Sequence, residues 1–385
     1  MTGPLAGLRV VDFTHVLAGP ACAYMLGCLG AEVIKVEGPR GDAMRHRGGT
    51  DPVRAAHGAS TAYLAQAAGK RSVVLDLETP RGAEAMRRLL ARADVLVENH
   101  LPETARSLGI SPEETAQLNP RLIHCAMTGY GRGSEMADTP AYDVNIQAAT
   151  GLMEMTGTAE SGPLRAGAPV MDYGTALAAG FAICAALVER ERTGRGGLVD
   201  VSMFETGLTL MASTVTDLTA TGNVPTRRGN AANSRSPAAG SFPCADGILS
   251  VGVNEAHQFA ALAHAIGRGD WLDDPRYRDA DARRKNGAAL AAELGEALAT
   301  RPAEEWEAIL RRAGVPVARQ RRLDEAIALP HLVARGFLAG LGDGDAQATT
   351  LPFRIGTHRP GPAFPPSAFG ADTDDIMAEL GLPPD

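Results

Sequence analysis

Two rhythms of apolar positions organise the first half of the chain. Short apolar runs recur at Leu8–Phe13, Glu32–Glu37, Ser72–Leu77, Asp94–Glu98 and Leu122–Met127, each bounded by glycine or polar residues, and they read as strands. Between them the period lengthens. Pro20–Leu29 reads as a helix that stops at Gly30. After Thr79-Pro80, an N-cap followed by proline at the first helical position, Met86, Leu89, Leu90 and Ala93 fall at i, i+3, i+4 and i+7. Strands alternating with helices predict an α/β fold with a parallel sheet covered on both faces. Ala176–Val188 is the longest apolar run and reads as a buried helix over about 175–192, followed by a strand at Leu198–Ser202.

The second half is organised differently. Residues 222–245 turn to Gly, Asn, Ser, Pro and Arg, which marks a crossover. Residues 246–320 read as a smaller α+β unit: a strand at 247–253, helices near 255–266, 286–299 and 303–313, and an edge strand at Val315–Ala318 that carries Pro316. The tail is proline-rich over 351–366 and ends in a helix at Asp374–Leu380. Residues 38–60 read as one long loop, a length usually reserved for function.

At 385 residues and 45% hydrophobic content the chain supports a full core, and 4% aromatic content means that Ala, Leu, Val and Ile must fill it. A net charge of −8 argues against nucleic-acid binding. The longest apolar run is too short to span a bilayer, and no signal peptide is visible, so no membrane partner is expected. The five cysteines lack paired or metal-like spacing, which points to buried free thiols and a cytoplasmic location.

The loop Gly162–Asp172, rich in glycine and proline, delivers one carboxylate to the start of the most apolar helix. Backbone N–H groups and the helix dipole there favour negative charge, as chemistry on an acyl group requires. The same position suits an N-cap, with Asp172 or Thr175 as the capping side chain. The first strand–helix–strand segment has a dinucleotide-binding layout but only Gly19 before its helix, without Gly-x-Gly-x-x-Gly. Walker A, Gly-x-Ser-x-Gly and paired-histidine motifs are absent from the sequence, and no metal site is expected. His15 ends a strand where α/β sheets bind ligands, a place that also suits a structural histidine. Arg40, Arg45, Arg47, Lys70, Arg71 and Arg106 fall in apparent loops, where they suit either a phosphorylated ligand or a solvated face. Tyr142 and Asp143 suit a site wall, or a packing residue and a helix cap.

Taken in order, several segments resemble the class III coenzyme A-transferases of the formyl-CoA and carnitine CoA-transferase type, the CaiB/BaiF superfamily. They are Asp12–Pro20, Gly30–Glu37, Gly41-Asp42 with Arg45, Lys70–Leu77, Ala93–Asn99, Thr128–Gly131, Ala141–Asp143, Asp172, Thr193–Gly196 and Ala313–Pro316. The resemblance implies a Rossmann-like large domain plus a smaller α+β domain in an interlocked homodimer. On that plan residues 1–205 are the first part of the large domain, 206–245 the crossover, 246–325 the small domain and 326–385 a return segment completing the large one. It implies Asp172 as the catalytic nucleophile, acylated by an acyl-CoA and passing CoA to a carboxylic acid acceptor through anhydride and aspartyl-CoA thioester intermediates. CoA is then substrate, with no tightly bound cofactor. The resemblance carries over His15, Val16, Leu17, Ala18, Leu75, Asp76, Asn99, His100, Arg106, Tyr142 and Asp143 as CoA contacts, with Met203 near the active site.

Two departures stand out. Leu17 replaces the glutamine of formyl-CoA transferases, and Asn233–Gly240 lacks their glycine run; both point to a less polar or larger acid, with Arg235 a candidate for a second carboxylate. A 2-methylacyl-CoA racemase or epimerase is the alternative within the superfamily. Its Gly-His-Asp motif reads Ala141-Tyr142-Asp143 here, and a phenol is a poor general base at neutral pH. A non-catalytic acyl-CoA-binding protein is the alternative outside it.

Overall fold

A computed structural model describes residues 3–232, 234, 236–342 and 344–382. The chain divides into two compact units. The first collects the residues up to Glu154, Leu164–Pro225 and the segment from His331 onward; the second holds Met155–Pro163 and Thr226–Pro330.

The first unit is built on a parallel sheet of β1 (Arg9–Phe13), β2 (Glu32–Glu37), β3 (Lys70–Val74), β4 (Val95–Glu98), β5 (Ile123–Thr128) and β6 (Gly197–Ser202). Its order is β3-β2-β1-β4-β5-β6, with Val10 registered on Val33 at one side and on Val95 at the other. Successive side chains on a strand point to opposite faces, which divides the core. Val10, Val33, Val95, Val97, Ile123 and Cys125 pack on one face under α1 (Ala18–Cys28) and a long helix at Val170–Thr193. Val11, Ile34, Val73 and Leu96 pack on the other, under α2 (Pro80–Ala91) and the C-terminal helix Thr373–Glu379. Helix α2 starts as its sequence dictates: Thr79 accepts the Gly82 N–H, Pro80 is the first helical residue, and Met86, Leu89 and Leu90 face the sheet.

Three expectations need correction. Residues 38–60 are not one loop: Asp42 and Asp51 cap short helices at Ala43–Arg45 and Pro52–Ala56. The third strand begins and ends earlier, because Lys70 finds a buried partner and the Asp76 carbonyl turns to accept from Thr79. Gly82 allows that turn, since a Cβ there would stand 1.9 Å from the Asp76 oxygen. The long helix is also not buried all round. Ala176, Ala179, Ile183 and Leu187 pack inward, whereas Leu177, Phe181 and Val188 are exposed. With 24 residues, and a mean hydropathy of 1.6 over its most apolar 18, it is long and apolar enough to cross a bilayer by composition, yet its inner face packs on α1 and the sheet.

Beneath the strand ends lies a buried ionic network. Lys70 Nζ donates to Asp12 at 2.7 Å and to the Pro20 carbonyl, Lys35 Nζ reaches Asp42 at 3.1 Å, and Arg45 grips Glu37 with both Nε and Nη2. Burial alone would raise the Asp12 pKa, but Lys35 and Lys70 outweigh it and hold the group below the ordinary range. Removing one partner would strand a buried charge, at a cost of about 3–5 kcal/mol.

The second unit is a three-stranded antiparallel sheet, ordered Val317–Arg319, Ile248–Gly252, Ala239–Pro243, with Val317–Arg319 at an edge as Pro316 requires. Its core joins Phe242, Leu249 and Val251 to Phe259, Trp271, Tyr277, Leu294 and Trp306. Cys22, Cys28 and Cys125 are buried free thiols; burial pushes Cys22 and Cys28 up to about 12.

Candidate active site

The chain order of the sheet reverses at β1, which has β2 on one side and β4 on the other. Open α/β sheets bind ligands outside the carboxyl ends of the strands at such a point. A cavity of about 330 Å³ opens there, lined by His15–Ala18 after β1, Asn99–Leu101 after β4, Met127–Gly129 at the end of β5, and Met203 just past β6. Thr139–Tyr142 and Asp172 complete it.

The loop after β1 is shaped for this place. Val16 has φ +68°, the one non-glycine residue in the left-handed region among the described residues, and a β-branched side chain is strained there. Two bonds from Asn99 to the His15 backbone and one from Gln66 Nε2 to the Val16 carbonyl hold it. Leu17 occupies the N-cap of α1 with no side-chain bond, so the first-turn N–H groups are left for ligand or water.

Behind the β4 end, Glu98 is fully buried. It accepts the His100 N–H at 2.7 Å and Arg132 Nη2 at 2.9 Å, with His124 Nε2 at 3.4 Å. Burial opposes its charge, but the hydrogen bonds of His100 and His124 prevail and push it down to about 2. The His100 ring packs tilted against Phe13 with centroids 4.6 Å apart and meets the His15 ring edge-on at 5.4 Å. His15 opens to the cavity, but protein around it thins its hydration, and together with His100 this lowers its pKa.

Asp172 lines the same cavity. Its helix begins at Val170, with Pro169 at the N-cap, so Asp172 lies inside the first turn and neither it nor Thr175 is the cap. Thr175 Oγ1 instead donates to the Met171 carbonyl at 2.6 Å. The buried first-turn N–H of Met171 is satisfied from a distance: Asp143 Oδ2 accepts it at 2.8 Å. Among the described residues no donor or cation pairs with the Asp172 carboxylate. Burial first, then the charge of Asp143, push it up to about 7. The result is a half-buried carboxylate that faces the cavity with no salt-bridge partner among the described residues, a perturbed group of the kind that clusters at functional sites.

The structure brings together His15, Val16, Leu17, Ala18, Asn99, His100, Tyr142, Asp172 and Met203 around one cavity. Asp143 is buried and faces Met171 and Gln147 instead of forming the lining. Leu75 lies in the core beneath the sheet, Asp76 shapes the turn into α2, and Arg106 is exposed on the helix Pro102–Ser107; none of the three lines the cavity. Arg45, Lys70 and Arg71 are not loop charges for a phosphorylated ligand: Glu37, Asp12, and Glu32 with Glu379 engage them. Arg235 lies outside the described residues. Glu98 and Gln147 were missed, since nothing local distinguishes them from solvated polar residues.

The model of CoA-transferase family III matches residues 5–373. Over 345 residues the chain is 35% identical to a succinate–glutarate CoA-transferase of Agrobacterium fabrum, covering 88% of this chain and 85% of that one. Over 342 residues it is 36% identical to an acetyl-CoA:oxalate CoA-transferase of Acetobacter aceti, covering 88% and 86%. Among solved structures, a CAIB/BAIF family protein from Brucella suis matches with a TM-score of 0.87 at 32% identity, covering 99% of this chain and all of that one.

Proposed function

The chain belongs to CoA-transferase family III and is an enzyme of the CoA-transferase type, and from that premise we propose that Asp172 is the nucleophile that carries the acyl group and then CoA itself. The observation behind this reading is the unpaired Asp172 carboxylate in the wall of the cavity that the loop His15–Ala18 also lines.

The steps balance without a proton donor. An Asp172 oxygen attacks the thioester carbonyl, the C–S bond breaks, and CoA leaves as thiolate from a mixed anhydride. The thiolate attacks the Asp172 carbonyl, the anhydride C–O bond breaks, and the first acid leaves as carboxylate from an aspartyl-CoA thioester. The acceptor carboxylate attacks that thioester and expels the thiolate; the thiolate then attacks the acceptor's carbonyl, giving the new acyl-CoA and free Asp172. Dividing one exchange into four substitutions is covalent catalysis. The N-terminus of the Asp172 helix favours the negative charge that develops on each tetrahedral oxygen.

Leu17, Met127 and Met203 give the cavity apolar wall, which favours an acid less polar than oxalate. The two named relatives act on succinate, glutarate or oxalate, so the panel that tests this must include short dicarboxylates beside monocarboxylates, with new CoA esters read by mass. Tyr142 on the cavity wall supports acyl transfer over the proton exchange of a racemase, which needs a base at that position. A second copy of the chain is the partner we assign to the apolar stripe Tyr173, Leu177, Phe181 and Val188 on the Asp172 helix, in line with the interlocked homodimer that the resemblance implies.

The deciding experiment mixes enzyme, acyl-CoA and hydroxylamine and maps the hydroxamate by peptide mass. The expected adduct is on Asp172. Transferase activity retained by Asp172→Ala, or α-carbon deuterium exchange without CoA transfer, would overturn the assignment.

A further inference from the structure

We propose that Asp143 and Gln147 are positioning residues for Asp172, a buried carboxylate–amide relay that fixes both the first turn of the Asp172 helix and the loop leading into it. The inference rests on the reading of Asp172 as nucleophile.

The relay begins on the helix Asp143–Ala149, one turn of which sets Asp143 and Gln147 on the same face. Asp143 is 7% exposed and Gln147 fully buried. Gln147 Nε2 donates to Asp143 Oδ1 at 2.6 Å, leaving Asp143 Oδ2 to accept the Met171 N–H at 2.8 Å. Gln147 Oε1 in turn accepts the Ala166 N–H at 2.9 Å, in the loop before the helix. Two backbone N–H groups, five residues apart and flanking the turn into Asp172, are thus held by two side chains that also hold each other. Met171, the residue before the nucleophile, is itself fully buried against Ile146 and Met203. Arg165 Nη1 stands 3.7 Å from Asp143 Oδ1 at the outer side of the relay.

The donor and acceptor pattern has one sense. Asp143 offers only acceptors, and Gln147 offers one donor and one acceptor. In Asp143→Asn the new NH2 faces the Gln147 NH2; if Gln147 turns over to meet it, the Ala166 N–H loses its acceptor. In Gln147→Glu two carboxylates face each other. In the double variant D143N/Q147E every bond returns: the asparagine oxygen accepts from Met171, its NH2 donates to the glutamate, and the glutamate accepts from Ala166. The negative charge is kept but shifted by four residues.

The test is single-turnover acylation with acyl-CoA and hydroxylamine, reading the hydroxamate on Asp172 against time, with kcat and KM in parallel. Each single variant is expected to slow acylation about 10²-fold, the effect of misplacing a reacting group by an ångström, with KM for acyl-CoA moving less than about threefold. The double variant is expected to recover to within about tenfold of wild type. Acylation of Asp143→Asn at the wild-type rate, a loss confined to KM, or a double variant no faster than the singles, folded or not, would overturn the proposal. A wild-type enzyme that forms no adduct on Asp172 removes the nucleophile reading itself and the inference with it, whatever the variants do.

Discussion

Asn99 holds His15 by both sides of its peptide unit: Oδ1 accepts the His15 N–H at 2.9 Å and Nδ2 donates to the His15 carbonyl at 2.8 Å. The two residues follow β1 and β4, the neighbouring strands at the switch point. The clasp keeps the strained Val16 in place beside the cavity, and on the proposed reading Asn99 would act on CoA through the loop it holds. Asn99→Ala is expected to weaken CoA binding about tenfold, the value of one to two lost hydrogen bonds, with kcat changed less. Calorimetric titration with CoA checks this; unchanged affinity would show that the loop holds itself.

The raised pKa of Asp172 sets a pH dependence. The nucleophilic form is the carboxylate, so acylation is expected to fall about tenfold per pH unit below about 7 and to level off above it. Stability runs the other way. A carboxylate that ionises at 3.8 unfolded but near 7 folded draws the protein toward unfolding as pH rises between those values, and the penalty stays constant above. Asp172→Asn therefore raises the thermal midpoint at pH 8 and has almost no effect at pH 4, with a difference on the order of 2 kcal/mol after allowance for partial solvation. Equal midpoints at pH 8 would contradict it.

Glu98 gives the opposite sign. Its pKa drops from 4.5 to about 2 on folding, so its contribution is complete above 4.5 and lost as pH falls toward 2. Glu98→Gln is expected to cost on the order of 3 kcal/mol at pH 7 and progressively less between pH 4.5 and 2. Urea unfolding across that range measures it. A penalty independent of pH would mean that shape, not charge, is what Glu98 supplies.

The apolar stripe on the Asp172 helix predicts self-association. Phe181 is 80% exposed in one chain, a poor place for a phenyl ring in water. The protein is expected to sediment at twice 40.1 kDa, without dissociation at low micromolar concentration. Phe181→Asp is expected to lower the folded yield or release monomer. A stable wild-type monomer would refute the assigned partner, and recovery in lipid vesicles would assign the stripe to a membrane instead.

Much of this molecule was legible in its local patterns. The alternation Val10, Val11 determines which residue faces which layer, and Thr79-Pro80 determines where α2 starts, because strand period and helix capping depend only on neighbours a few positions away. The ordered motifs from Asp12 to Pro316 sufficed for the family. Local pattern misled where a partner lay far along the chain. Lys70 read as a loop charge because Asp12, 58 residues away, neutralises it only in the folded sheet. Asp172 read as a possible cap because the cap that Met171 uses is Asp143, 28 positions earlier. The strand order, and with it the meeting of His15 and Asn99 across 84 residues, is a product of long-range register that no local period encodes. Sequence alone determined the layers and the presence of a candidate carboxylate. Tertiary structure decided which charges are buried in pairs and that Asp172 stands half-buried without a partner among the described residues, because burial and charge pairing are set by contacts that only the closed sheet creates.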